Sequence, residues 1–211
     1  MDGMSASPFA RSQDIVTFDF GFDVGWYQVP LGGAVGQWAK ELTRSFSLKR
    51  PTAKSLSYQL ERLQINLSSI NEPDVTCVVW IPHPESGYAA CSMSFRLSDL
   101  GEADTPDVVL ADLEADRART TETSEFLEVD SWRGRFDAGE FVAARNLIVH
   151  RDRGNLEGSV EERTAFAVFP ADARQMVQLV FTAESIGSFY DMPAETQAVA
   201  STLRVELAPA Q

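Results

Sequence analysis

The side chains that most often do chemistry are scarce in this chain. There are two histidines, His83 and His150, and two cysteines, Cys77 and Cys91. A metal site generally needs three or four ligands, with histidine and cysteine dominant. No C-x2-C or H-x3-H spacing occurs, so no metal site and no cofactor is expected. Nucleophilic catalysis would need a serine or cysteine near a histidine that a carboxylate orients. His150 lies close to Asp152, but no G-x-S-x-G turn singles out a serine. The neighbours of Cys91 (Tyr88, Ala89, Ala90 and Met93) favour a buried thiol over a reactive one.

Two further patterns invite a chemical reading. Gly32-Gly33-Ala34-Val35-Gly36 precedes a helical run. It matches neither the dinucleotide fingerprint nor the P-loop, and a flexible strand-to-helix turn accounts for it. Glu122, Glu125, Glu128 and Asp130 lie close together. Strand periodicity puts Glu128 and Asp130 on one face with Phe126 and Trp132. Paired carboxylates can serve a hydrolase or bind Mg2+, yet on an open strand face they are more often simply solvated. No catalytic residue is expected, and the chain does not read as an enzyme.

Trp132 has the most polar surroundings of the four tryptophans, in Asp130-Ser131-Trp132-Arg133-Gly134-Arg135. A tryptophan flanked by arginines suits a protein contact. It suits a sheet core equally well if its neighbours point outward. Trp132, Arg133 and Arg135 are the candidate protein-binding residues.

Charge narrows the partner. The formal net charge is −13 over 211 residues. Residues 1–105 carry 8 basic and 12 acidic side chains, and 106–211 carry 10 and 19, so the halves are −4 and −9. A field of that sign repels phosphate backbones and anionic lipid. Neither nucleic acid nor membrane is an expected partner; solubility accounts for the charge before any dedicated site does, and the partner it would suit is another protein with a basic surface. Every basic residue after Lys54 is arginine, which suggests a GC-rich bacterial genome. Residues 1–13 lack the apolar segment of a signal peptide, and no run is long enough to span a membrane. The expected location is the cytoplasm, where two buried thiols are favoured over a disulfide.

The elements come from periodicity. Residues 1–13 read as a flexible tail and 14–211 as a single α+β domain, although a boundary near 98–105 is conceivable. Val16, Phe18, Phe20 and Phe22 alternate as a strand, and Trp26 to Val29 forms a second that could pair with it as a hairpin. Val35, Trp38, Leu42 and Phe46 have helical spacing up to Pro51. Leu56, Leu60, Leu63, Leu67 and Ile70 give a second helix, with a seam that packs on a sheet or joins two copies as a homodimer. Val75–Ile81 and Tyr88–Leu97 read as a hairpin, and a tight turn at His83-Pro84-Glu85 would set Cys77 opposite Cys91. Thr105-Pro106-Asp107 starts a third helix, which should fray by Arg119. Phe126–Phe136 and Phe141–His150 form a further antiparallel pair. Arg151 to Glu162 reads as a solvated loop or the tip of a long hairpin. The elements run ββ-αα-ββ-α-ββ-ββ-α-β, with four helices and a sheet of about eight strands. Strands that follow strands predict a largely antiparallel sheet with helices packed on its faces.

The ending carries a family resemblance. Two strands meet at Pro170-Ala171-Asp172-Ala173, a helix follows from Met192, and Leu203, Val205 and Leu207 close the chain. Thr164–Phe169, Met176–Phe181 and Glu195–Leu203 resemble the C-terminal quarter of PsbP-like α/β/α sandwich domains. Trp26-Tyr27-Gln28-Val29-Pro30 is similar to an early strand of that family. The paired helices at 34–48 and 53–70 depart from its simplest form. The resemblance implies a binding or accessory role, as in transport factors, photosystem accessories or secretion chaperones, and it transfers no functional residue. The function expected from the whole chain is a non-catalytic, chaperone-like protein-binding domain. The alternatives are an enzyme with dispersed site residues and a small-ligand binder.

Overall fold

Strand follows strand through most of the chain, and all the strand ladders are antiparallel. The computed structural model describes residues 13–69, 74–115, 121, 123–151 and 159–209. Among them are nine strands and four α-helices. They run β1 (Ile15–Asp19), β2 (Trp26–Val29), α1 (Gln37–Ser45), α2 (Arg50–Ser68), β3 (Thr76–Trp80), β4 (Cys91–Asp99) and α3 (Pro106–Ala115). Then follow β5 (Ser124–Phe136), β6 (Gly139–His150), β7 (Ser159–Pro170), β8 (Gln175–Ala183), α4 (Met192–Ala200) and β9 (Arg204–Leu207). Seven strands form one sheet in the order β2-β3-β4-β8-β7-β6-β5, and β1 pairs with β9 in a second. The α+β class and the element order match the sequence reading.

Each sheet face is buried differently. On one face Met93, Phe141, Phe166, Leu179 and Phe181 pack under α4 and the β1–β9 ribbon, with Ile15 of β1 and Leu203, between α4 and β9, in the same cluster. Full burial of one such side chain contributes about 2–3 kcal/mol, so this cluster is the main hydrophobic support. The opposite face is covered in two places. Val29, Cys77, Val79 and Ile81 lie under α1 and α2, and Val142, Ala167, Phe169 and Met176 lie under α3.

Local chemistry sets the helix ends. Pro51 begins α2 rather than ending α1, because a first-turn proline loses no helical hydrogen bond. The Thr105 hydroxyl caps α3 by accepting from the Val108 N–H at 3.3 Å. Gly36 sits at the start of α1 with φ of 80°, where only glycine is unstrained. Its N–H donates to the buried Gln64 Oε1 at 3.1 Å, and Gln64 Nε2 donates to the Pro30 carbonyl at 3.0 Å. The glycine run is therefore a backbone joint, as its sequence suggested. Leu56 and Leu60 are fully buried, with Leu63 and Leu67 packed against the same cluster. The α2 seam is thus core; its last member, Ile70, lies outside the described residues, as do residues 1–12 of the expected tail and the Arg119 end of α3.

Three pairings differ from expectation. β1 does not pair with β2 but with β9, and an irregularity between Ile15 and Thr17 turns Val16 out to solvent. Cys77 does not face Cys91. The connection from Ile81 to Ala90 contains a 3-10 turn at Pro84–Ser86, longer than a tight turn, and it sets Cys77 opposite Ser94 and Cys91 opposite Trp80. The two thiols consequently lie on opposite faces, both buried and unbonded. Finally, β6 and β7 form one long hairpin whose ladder runs from Gly139–Pro170 to His150–Ser159, so Ser159–Glu162, the end of the stretch read as a loop or hairpin tip, is strand. Its residues 152–158 lie outside the described residues.

Candidate functional site

β5 is the long outer strand of the sheet, 13 residues at one end of the strand order. Its hairpin with β6 closes through Asp137-Ala138, with Phe136 paired to Gly139. A two-residue turn makes the flanking pair the hydrogen-bonded one. Alternation then turns the N–H and C=O of Ser131, Arg133 and Arg135 away from β6, toward the outer edge. Unpaired edge groups are a ready template for another strand.

A cleft of about 680 Å3 opens beside this edge, between β5 and α4. Trp132, Arg135 and Phe136 line it from the strand, and Asp191, Ala194 and Gln197 from the helix. Trp132 stands edge-on to Phe166, with ring centres 5.8 Å apart. Its indole N–H donates to Gln197 Oε1 at 2.9 Å. The ring is half-buried and held at both ends, a preorganised wall for a contact. Asp191 caps α4 by accepting from the Ala194 N–H at 3.0 Å. Glu195 Oε1 accepts from the N–H groups of Tyr190 and Asp191, at 2.8 and 3.1 Å. The helix wall is thereby fixed.

The structure separates the three sequence candidates. Trp132 and Arg135 line the cleft together. Arg133 points to the other side of the sheet, where it pairs with Asp107 of α3 at 2.8 Å. Ser131 on that side donates to Glu114 of α3 at 2.5 Å. Arg135 is exposed and has no ion-pair partner among the described residues.

Next to the cleft lies a charge cluster that sequence reading missed. Arg145 on β6 donates to Glu162 on β7 at 2.7 Å and also approaches Glu128 and Asp130 on β5, at 3.6 and 3.7 Å. Burial alone would lower the Arg145 pKa. The hydrogen bond and charge of Glu162, with Glu128 and Asp130, outweigh it and hold Arg145 above the ordinary arginine range. The Glu128 and Asp130 carboxylates are thus partners of a cation, not merely solvated. They share a face with Trp132 as expected. Phe126 does not, because a bulge between Phe126 and Glu128 shifts it to the other face. Glu122 lies outside the described residues.

His150 is also drawn into a cluster. Its Nδ1 lies 3.1 Å from Ser124 Oγ and its Nε2 lies 3.0 Å from Glu161 Oε2. Arg163 donates to the other Glu161 oxygen at 2.6 Å. Serine, histidine and glutamate follow one another along three neighbouring strands, the connectivity of a nucleophile, base and orienting acid. His83 stands apart, exposed and 3.3 Å from Glu85. Among the described residues no cluster of three metal-ligating side chains occurs. Burial pushes the Cys77 thiol up to about 11 and Cys91 higher still, so both are inert at neutral pH.

No known family model matches the chain, and no curated protein does. Solved structures resemble it loosely. A cyanobacterial PsbP from Synechocystis is 12% identical with a TM-score of 0.42, over 97% of this chain and 98% of that one. LpqN of Mycobacterium tuberculosis, involved in cell envelope biogenesis, is 11% identical with a TM-score of 0.45, over 92% and 84%. A Bacteroides thetaiotaomicron protein is 8% identical with a TM-score of 0.43 over 92% of this chain, which spans about half of that protein, 48%. The PsbP alignment runs well beyond the C-terminal quarter in which the sequence resemblance lay. Nothing about function follows from likenesses this loose.

Proposed function

We propose that this chain is a non-catalytic accessory domain that holds an extended segment of another protein against β5, in the manner of a chaperone. The observation that carries the reading is one place in the fold. There an outer strand turns the backbone groups of Ser131, Arg133 and Arg135 toward its edge, beside a cleft lined by a fixed half-buried tryptophan and by Arg135, which has no ion-pair partner among the described residues. Strand addition would supply affinity through the main chain, and the cleft would select side chains. The excess of carboxylates around Arg145 and the acidic surface favour a partner that is basic in part. Buried, unbonded thiols support a reducing compartment such as the bacterial cytoplasm. The test is capture from the native host with the immobilised chain, alongside Trp132→Ala and Ser131→Pro. The reading predicts a specific protein held by the wild type and lost from both variants. Equal recovery by all three would sink it.

A second reading rests on Ser124, His150 and Glu161. Their connectivity suits an enzyme with a serine nucleophile. A fluorophosphonate probe decides: labelling at Ser124 that His150→Ala abolishes would support it, and an unlabelled folded protein removes it.

A further inference from the structure

We propose that the segment held at β5 runs antiparallel to it and carries a large apolar residue followed, four and six residues later, by lysine or arginine. The inference rests on the docking reading of the β5 edge and gives the occupant its sequence pattern.

Register supplies the spacing. The backbone groups of Ser131, Arg133 and Arg135 turn outward, so an added antiparallel strand makes its hydrogen-bonded pairs at those residues. Gly134, Trp132 and Asp130 are then its non-hydrogen-bonded positions, where facing Cα atoms approach to about 4.5 Å and side chains meet most closely. Alternation puts these residues, with Glu128, on the α4 side of the sheet, where Trp132 donates to Gln197. Side chains of the segment opposite Gly134, Trp132, Asp130 and Glu128 fall on that same side, at every second residue. Antiparallel pairing is also the stronger kind per residue and the kind in each ladder of this fold.

Chemistry fills the pattern. Gly134 lies between Trp132 and Phe136 on this side, and Phe141 of β6 takes the space that a Cβ there would need, at 2.7 Å. The strand therefore has no side chain of its own at this point. A large apolar side chain opposite it lies against the two flanking aromatic rings at the mouth of the cleft, with Ala194 and Ala198 of α4 on the other wall. Further along, Arg145 bonds Glu162 at 2.7 Å but stays 3.6 and 3.7 Å from Glu128 and Asp130. Those two distances exceed hydrogen-bond length, so one cation serves three carboxylates and leaves negative charge in excess. Both outer carboxylates are half-exposed beside the edge. A lysine or arginine opposite Asp130, and another opposite Glu128, supplies the positive charge they lack. The net charge of −13 draws such a segment in from a distance.

A dye-labelled peptide with blocked ends, Thr-Phe-Thr-Val-Thr-Lys-Thr-Lys-Thr, titrated with the full chain and read by fluorescence anisotropy, tests this. The wild type should bind it saturably, and should bind the reversed sequence, which has the same composition, at least about tenfold more weakly. Ser131→Pro, which removes an outward N–H at an edge position that tolerates proline, should lose the peptide. Glu128→Gln/Asp130→Asn should weaken binding roughly tenfold through two exposed charge contacts. Glu128→Lys/Asp130→Lys should instead prefer the peptide with both lysines replaced by glutamate, a gain that misfolding cannot produce. A wild type that does not bind the peptide overturns the pattern, as does equal binding of the lysine and glutamate peptides or of the forward and reversed sequences. If the peptide fails while a host protein is captured and Ser131→Pro loses it, the pattern falls and the docking reading stands. If the peptide binds as expected and the host yields no partner, docking of a second protein falls and the selectivity of the edge stands.

Discussion

Replacing Arg145 with methionine should leave Glu162 buried without its cation. The Glu162 side chain is 7% exposed and that of Arg145 22%, so water cannot take over the lost contact. Removing one member of a buried pair typically costs about 3–5 kcal/mol, because the other charge is stranded. Arg145 is partly solvated, which places the expected loss near the lower end, about 3 kcal/mol. The other two carboxylates behave differently. Glu128 and Asp130 are 49% and 60% exposed and sit at 3.6 and 3.7 Å, so Glu128→Gln or Asp130→Asn should cost under about 1 kcal/mol. Combining Arg145→Met with Glu162→Gln removes both charges and should recover most of the loss. Urea unfolding of the four variants and the double mutant, followed by circular dichroism, gives each value directly. An Arg145→Met loss below about 1 kcal/mol, or a double mutant as unstable as the sum of its parts, would refute the account of a coupled buried pair.

Other consequences are as direct. The Cys77 thiol rises from 9.0 unfolded to about 11 folded. The unfolded chain therefore releases its proton first, so this contribution to stability is intact below pH 9.0 and is lost as pH rises toward about 11. Cys77→Val should lose less stability than the wild type over that window in paired urea melts. A Cβ at Gly139 would lie 2.1 Å from the Phe169 carbonyl oxygen. Gly139→Ala should then cost about 3 kcal/mol or more, while Gly32→Ala, with nothing near its Cβ, should leave the melting temperature almost unchanged. Leu60→Ala opens a hole in the cluster under α2 and should cost about 3 kcal/mol, with no change in oligomeric state by light scattering.

The order of elements was legible because it depends on local rules. Alternation marked the strands, helical spacing marked α1 and α2, and Thr105-Pro106-Asp107 marked the start of α3. Trp132 and Arg135 stood out by composition, and both line the cleft. Register was not legible. A short helical turn at Pro84–Ser86 lengthened one connection and moved Cys91 three residues along its neighbour, from Cys77 to Trp80. A bulge in β5 likewise moved Phe126 off the face of Glu128.

Arg145 and Glu162 show a different kind of omission. Arg145 is an isolated charge inside the apolar run Phe141–Val149, while Glu162 stands between Glu161 and Arg163 at the end of a charged stretch. A buried charge demands a partner, so an opposite charge on the adjoining strand was a usable signal. The trio of Ser124, His150 and Glu161 left no such trace, since a serine at a strand end is ordinary.

From sequence alone came the α+β class, the order of strands and helices, the acidic surface and the scarcity of chemical groups. These follow from composition and from periodicities of two and 3.6 residues, which each segment carries by itself. The tertiary structure decided which strand lay at the edge and that α4 would fold back against it. It also decided which cation would serve three carboxylates. Those outcomes depend on the crossing of β8 between β4 and β7 and on exact strand register, and no local pattern encodes them.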